Sequence, residues 1–414
     1  MLYVGLDDTD GRSGMCTTYL VNRVLEKVPY PPAEFPRLIR LNPTVPWKTR
    51  GNGAVSIPID APYTAAPEVL DIVADIVRKE AVLSEENTNP GIVVAPKPLG
   101  IEFYWKAVRS IVTVDEAREE IREWGAEAKG FKNCRGLIGA SAAVAWHPDL
   151  VENATYEIIA YRKREKWGMS REIEIESVRE MDKTCQHTFN NLDERNKHVA
   201  IMPNTPCPVL FGIRGEDHEE LVRAKDIIGG EEMAGWTLFM SNQGTDDHLV
   251  ERKVSEAKIM ESPLLRGRVS NEPKDIEGGH VIFSIEDETG SIDCAAYEPT
   301  KEFRELVREL NVGDDIVVMG SVREEPKTIN LEKLILMGTT PGKANPKCPA
   351  CGKNMKSAGK GQGYRCKSCK TQASEKEEVD RTISPGAYQT PVCARRHLMR
   401  PLELGCNKLL KRYI

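Results

Sequence analysis

The chain has no uninterrupted apolar run of about 18 residues, so no membrane span is predicted. Met1 leads straight into a strand-like segment without a charged n-region or an apolar h-region. No signal peptide is therefore expected, and the chain reads as cytoplasmic. A disulfide framework is also missing. Eleven cysteines is an odd number and seven stand singly, which fits a reducing compartment and one metal site. There is no surplus of positive charge: the net charge of −6 argues against indiscriminate nucleic-acid binding, while leaving room for local basic patches. An apolar fraction of 40% and a charged fraction of 29% are those of a soluble globular protein, and 414 residues predict about two to four domains.

The first twenty residues carry the clearest chemistry. Leu2 to Leu6 reads as a buried strand, followed by three carboxylates, Asp7, Asp8 and Asp10, with Thr9 among them. A glycine loop, Gly11 to Gly14, then precedes Cys16-Thr17-Thr18, which opens an amphipathic helix through Val28. Helix N-termini offer free N–H groups to anions. Clustered carboxylates repel one another unless a cation sits among them, and magnesium carried by a nucleotide suits them. Asp and Thr also favour helix starts, but capping needs one acid rather than three. Neither Walker A nor the dinucleotide fingerprint occurs here, so a nucleotide site would be of another design.

Residues 1 to about 150 alternate strand-like runs (35–41, 54–59, 91–94) with helical ones (66–81, 114–124), which predicts an α/β domain. Between two strands lies Asn42 to Gly53, whose prolines forbid helix. Lys48 and Arg50 precede the Gly51-Asn52-Gly53 turn, and basic groups beside exposed amides suit a triphosphate. A plain hairpin would explain the turn but not Trp47, Lys48 and Arg50 together. The run 136–145 reads as a small-residue helix opened by Gly136 and Gly139. It is either a close helix contact or a place where backbone approaches a ligand.

From 151 to 250 the pattern strand 156–161, helix 173–181, strands 198–202 and 208–213, helix 218–228, strand 236–241 is ferredoxin-like. Polar loops join these elements. Asp246 and Asp247 in one of them are candidates to bind a cation, although Asp in a Gly-Thr-Asp turn is more often a solvated cap. Five short strands from 262 to about 340, with a helix at 301–310 between the third and fourth, give the OB pattern of a single-strand binder. Phe283 and Tyr297 are its candidate stacking aromatics, unless they are core. Cys348-Pro-Ala-Cys351 and Cys366-Lys-Ser-Cys369, fourteen residues apart, match a closed structural zinc site of four thiolates. Lys353, Lys356, Lys360, Tyr364, Arg365, Lys367 and Lys370 make this ribbon basic, as a phosphate backbone requires. After a charged linker at 371–380, the tail with Arg395 and Arg396 reads as an RNA-gripping arm or a solvated terminal helix.

Six stretches together resemble the archaeal tRNA-isoleucine 2-agmatinylcytidine synthetases: 5–10, 14–18, 42–53, 203–208, 241–246 and 394–398. The resemblance runs nearly the whole length. It implies a multidomain α+β protein: an α/β kinase-like domain (1–150), a ferredoxin-like domain (151–261), an OB-fold (262–341), a zinc ribbon (342–372) and a basic tail (373–414). The activity implied is ATP-dependent joining of agmatine to the 2-carbonyl of the wobble cytidine in the AUA-reading isoleucine tRNA, with ATP consumed to AMP and phosphate. The 2-oxygen is activated by phosphorylation, and the amine then displaces phosphate. Asp7, Asp8 and Asp10 would hold magnesium and polyphosphate, and Thr18 matches a threonine that the enzyme phosphorylates on itself. Gly14, Gly51, Asn52, Gly53, Gly136 and Gly139 are expected around ATP. Asp246, Asp247, Phe283, Tyr297, Arg395 and Arg396 are expected around agmatine and the anticodon loop and body of the tRNA. Two other readings compete: a non-enzymatic binder of single-stranded nucleic acid, and an ATP-dependent kinase or ligase on another RNA base.

Overall fold

A computed structural model of the chain describes every residue except Arg50, Lys360 and Ile414, and of Lys343 only the backbone. Two residues singled out above, Arg50 and Lys360, thus lie outside the described residues. No helix among the described residues is long and apolar enough to cross a membrane.

Strand β1 (Leu2–Asp7) is the centre of the first half. Its pleat sends Leu2, Val4 and Leu6 into one apolar layer and Tyr3 into the other. The first layer packs under α1 (Thr17–Lys27) and α2 (Ala66–Glu80), and the second under α3 (Ile101–Arg109), α4 (Val114–Glu123) and α5 (Gly136–Ala145). Helix α5 is small-residued because it lies almost on the sheet. A Cβ on Gly5 would stand 2.4 Å from the Ala140 carbonyl oxygen, and one on Gly136 2.3 Å from the Gly91 nitrogen. The close-contact reading of this stretch is what the packing shows. Helix α3 has no counterpart in the sequence reading: its run of β-branched and aromatic residues hides a helical period.

The other strands of this half are β2 (Arg37–Arg40), β3 (Gly53–Ile59), β4 (Gly91–Ala95) and β5 (Glu127–Gly130). Next come β6 (Thr155–Arg162), α6 (Ile175–Thr184), β7 (Thr188–Phe189), the hairpin β8 (Leu192–Asp193) and β9 (His198–Val199), β10 (Val209–Gly215), α7 (His218–Ile227) and β11 (Met233–Ser241). The order β11-β6-β10-β7 is the ferredoxin-like arrangement. Its second strand is Thr188–Phe189, whereas the 198–202 run predicted for that place forms only the β9 turn. The two halves share one nine-stranded sheet, ordered β5-β4-β1-β3-β2-β11-β6-β10-β7. The parallel pairing of β2 with β11, the one such pairing in this sheet among the described residues, is the seam between them.

β12 (Leu249–Glu251) leads into the OB barrel: β13 (Ser262–Ile276), β14 (His280–Asp287), β15 (Gly290–Ala296), helix α8 (Phe303–Arg308), β16 (Asp315–Arg323) and β17 (Thr328–Gly338). Pairing of β13 with β16 closes the barrel. The zinc ribbon follows. The tail is neither a free arm nor a solvated helix. Strand Gly386–Gln389 pairs with β17, Leu398 is buried in the α3–α5 layer, and Arg400 is buried against the Gly244 and Leu404 carbonyls. This short apolar anchor, placed between basic residues, outweighs the charge of the segment.

Candidate active site

Asp7, Asp8 and Asp10 leave the end of β1 at the wall of a cavity of about 420 Å³. Asp8 takes a left-handed backbone, φ 58°, and its Oδ2 receives Arg135 Nη2 and Nε at 2.8 and 3.1 Å. Asp7 Oδ1 accepts the Asp8 amide at 2.7 Å. Burial drives the Asp7 carboxyl well above its ordinary pKa, and the Asp8 charge adds to this. Burial also raises Asp8, while Arg135 opposes it. Carboxylates so placed gain stability from a cation, so the donor set fits a hard ion with oxygen ligands. Gly139 is required here, since a Cβ on it would stand 1.9 Å from Asp7 Oδ2.

Thr18, in the first turn of α1, lines the same cavity with its Oγ1 3.1 Å from Cys16 Sγ. The Cys16 side chain makes no capping bond to this helix start, and a helix N-terminus presents N–H groups suited to an anion. Lys48 Nζ donates to the Pro43 and Val45 carbonyls. Crowding by protein and the neighbouring Arg396 bring its pKa down to about 8. Gly51, Asn52 and Gly53 also face the cavity. Gly14 does not. Glu85 occupies its loop, accepting the N–H groups of Arg12 and Ser13 at 2.7 and 2.9 Å. Gly136 is likewise spent on packing against Gly91.

Arg395 and Arg396 stand in the cavity wall rather than on an arm. Arg395 is fixed by Asn190 at 2.7 Å and Glu403 at 3.1 Å, and Arg396 by Ser321 at 2.9 Å and Glu332 at 3.2 Å. Besides Gly14 and Gly136, four predicted residues lie elsewhere. Asp246 is fully buried in an ion pair with Lys333, accepts the Arg400 amide at 2.8 Å and does not line the cavity. Asp247 accepts the Tyr104 hydroxyl, and burial raises its pKa to about 6. Phe283, 1% exposed, is barrel core. Tyr297 is half-buried outside the cavity, with Arg323 5.2 Å from its ring centre and His280 edge-on at 5.1 Å.

Sequence reasoning missed a second cluster. Arg40 (β2), Glu157 (β6), Arg214 (β10) and His397 (tail) converge on the cavity. Arg40 Nη2 and Arg214 Nε lie 3.3 and 3.4 Å from Glu157, while Gln243 Nε2 donates to the same carboxylate. Burial, then Arg40 and Arg214, hold the His397 ring neutral, well below its ordinary pKa. Arg40 Nε is buried without a hydrogen-bond partner among the described residues, which costs about 1–3 kcal/mol when nothing binds it. No local spacing signals these four, because distant elements bring them together.

In the ribbon, Cys348, Cys351, Cys366 and Cys369 place their sulfurs within 4.8 Å of one another. Four thiolates at such spacing suit tetrahedral zinc with no open position.

Buried carboxylates and guanidinium groups in one cavity, beside an OB barrel and a zinc ribbon, define a nucleotide-using enzyme equipped for RNA. The chain matches the family models of the TiaS TCKD domain (residues 3–133), the TiaS FLD domain (134–248), the OB-fold nucleic acid binding domain (264–335) and the TiaS C-terminal zinc ribbon domain (345–383). It is 45% identical to TiaS of Archaeoglobus fulgidus, a 2-agmatinylcytidine synthetase of isoleucine tRNA, over 97% of each chain. It superposes on a crystal structure of TiaS in complex with that tRNA and ATP with a TM-score of 0.86 at 44% identity, covering 98% of this chain and 97% of that one. The complex of TiaS with the tRNA, AMPCPP and agmatine gives 0.85 at 41% identity, with the same coverage. The chain belongs to the TiaS family of 2-agmatinylcytidine synthetases of isoleucine tRNA.

Proposed function

We propose that this chain is an ATP-dependent ligase of the cytoplasm that joins agmatine to carbon 2 of the wobble cytidine in the AUA-reading isoleucine tRNA. The observation that carries this reading is the single cavity in which Asp7, Asp8, Asp10, Thr18 and Lys48 meet, in a chain similar over its whole length to synthetases of that name.

A pyrimidine carbonyl oxygen is a poor leaving group. In the proposed reaction the bond between the β- and γ-phosphates of ATP breaks, the terminal phosphoryl group bonds to the 2-oxygen and ADP leaves, its later hydrolysis giving AMP and a further phosphate. The agmatine amine then adds to carbon 2, the carbon–oxygen bond breaks, and phosphate departs with that oxygen while the amine gives up its proton. Phosphoryl transfer needs positioning and charge neutralisation more than covalent help. Asp7, Asp8 and Asp10 would hold magnesium, which when bound would neutralise charge on the polyphosphate. Lys48, Gly51, Asn52, Gly53 and the first amides of α1 would position that polyphosphate, and Gly139 keeps the Asp7 carboxylate within reach. The Thr18 hydroxyl, at the helix start, is the proposed acceptor of the enzyme's own phosphorylation. The cytidine must leave its stack, which costs a few kcal/mol, less in a loop than in a duplex. Tyr297, the ribbon and the barrel would grip the RNA around it.

The test incubates purified protein with magnesium-ATP, the isoleucine tRNA transcript and radiolabelled agmatine, wild type beside Asp8→Ala. Label in wild-type tRNA that vanishes in the variant is expected. Tight RNA binding with neither label nor ATP loss would reduce the protein to a nucleic-acid binder.

A further inference from the structure

The second cluster carries charge that the fold does not balance. The buried Arg162 guanidinium is fully matched: it sets Nε and Nη2 on the two oxygens of Glu231 at 2.7 and 2.6 Å. Arg40 and Arg214, by contrast, share one carboxylate at 3.3 and 3.4 Å; Gln243 donates to that carboxylate and accepts the Arg214 Nε–H at 3.0 Å, a neutral partner that leaves the second positive charge unbalanced. Their side chains are only 14% and 12% exposed. Two cations buried against one anion are costly unless a further anion joins them.

The cluster is also built to receive one. Arg40 Nε lacks a partner among the described residues. Glycines make room for Arg40 Nη1 and for His397. A Cβ on Gly51 would stand 2.7 Å from Arg40 Nη1 and 3.0 Å from His397 Nε2, and one on Gly53 3.0 Å from Arg40 Nη1. The base of Arg40 is fixed, because the Asn242 side chain accepts its backbone N–H at 2.7 Å and donates to its carbonyl at 2.9 Å. Arg40, Cys16 and Thr18 line the same cavity, so the cluster shares it with the start of α1.

We propose that Arg40 and Arg214, with His397 beside them, form a phosphoryl-anion subsite that takes the terminal phosphate of the nucleotide. This rests on the ATP reading above. A guanidinium fork matches phosphate oxygens in pairs, and a clamp of this kind neutralises charge on a phosphoryl group in transit. The other source of the same chemistry is a backbone phosphate of the RNA.

The test titrates the full-length protein, with magnesium, separately with β,γ-methylene-ATP, ADP and the isoleucine tRNA transcript. Wild type should prefer the triphosphate. Arg214→Gln should weaken the triphosphate at least about tenfold and leave ADP unchanged, with Arg214→Lys in between. Loss confined to the tRNA would keep the subsite and assign it to a backbone phosphate. Unchanged binding of all three by a variant melting like wild type would overturn the proposal. Should Arg214→Gln fail to fold, Arg214→Lys and Arg40→Lys, which keep the charge but lose the paired fork, should still weaken the triphosphate, by less, and leave ADP unchanged. A protein that holds the triphosphate through Arg214 yet never incorporates agmatine would defeat the ligase reading alone.

Discussion

Two polar clusters adjoin in this molecule, and their bonding differs. Residues 241–248 look like a site in the sequence, yet their side chains are largely spent inside the protein. Ser241 donates to the Leu38 carbonyl, Asn242 clasps Arg40, Thr245 donates to the Asn242 carbonyl, Asp246 pairs with Lys333 and His248 lies 2.8 Å from Glu332. The segment ties both halves of the large sheet to the OB barrel. The cavity wall is equally polar but incompletely bonded: Asp7 and Asp8 are crowded, and Arg40 and Arg214 are short of anions. Polarity alone therefore does not mark a site. Charge that the fold leaves unmatched does.

Substitutions on the two sides separate these roles. Asp8→Ala should cut agmatine incorporation roughly 10³-fold, as loss of a transition-state charge partner does. Its fold should hold, since Arg135 keeps the Asn87 carbonyl at 2.6 Å. Asp246→Ala should behave in the opposite way, stranding the buried Lys333 ammonium and costing about 3–5 kcal/mol in urea unfolding. Asp246→Leu with Lys333→Met should recover most of that loss. A stable Asp246→Ala protein with a raised KM for agmatine would break the comparison and restore Asp246 as a substrate ligand.

The OB barrel offers a smaller version of the same contrast. Phe283→Ala should cost about 3–5 kcal/mol of stability as a core truncation, with RNA affinity following only the folded fraction. Tyr297→Ala should barely move stability yet weaken RNA binding by about 1–3 kcal/mol if a base stacks there. Periodicity could not separate these rings, because both belong to short runs with mixed neighbours. The barrel's connectivity, the ribbon's paired cysteines and the acidic turn were legible because local spacing encodes them. The Arg40–Glu157–Arg214–His397 cluster was not. Its members come from β2, β6, β10 and the tail, and only the β2–β11 seam and the docking of Leu398 bring them together. The tail misled for a related reason: its basic residues suggested solvent, while the buried Leu398, Met399 and Leu410 and a two-sided hydrogen-bond frame for Arg400 fold it inward.

The finest distinction concerns Lys48. Its pKa of about 8 arises first from desolvation and then from Arg396, both of which disfavour the ammonium. Below about pH 8 the free enzyme offers a cation to the polyphosphate, and above it a neutral amine. The value of kcat/KM for ATP should therefore fall on a basic limb near about pH 8, because this ratio reports groups of the free enzyme. Bound polyphosphate favours the charged form, so kcat should hold to higher pH. Lys48→Arg, charged throughout, should remove the limb at the cost of a modestly changed KM. A limb that persists in Lys48→Arg would assign it to another group and leave Lys48 as a brace for the Pro43 and Val45 carbonyls, on the bonded side of the divide.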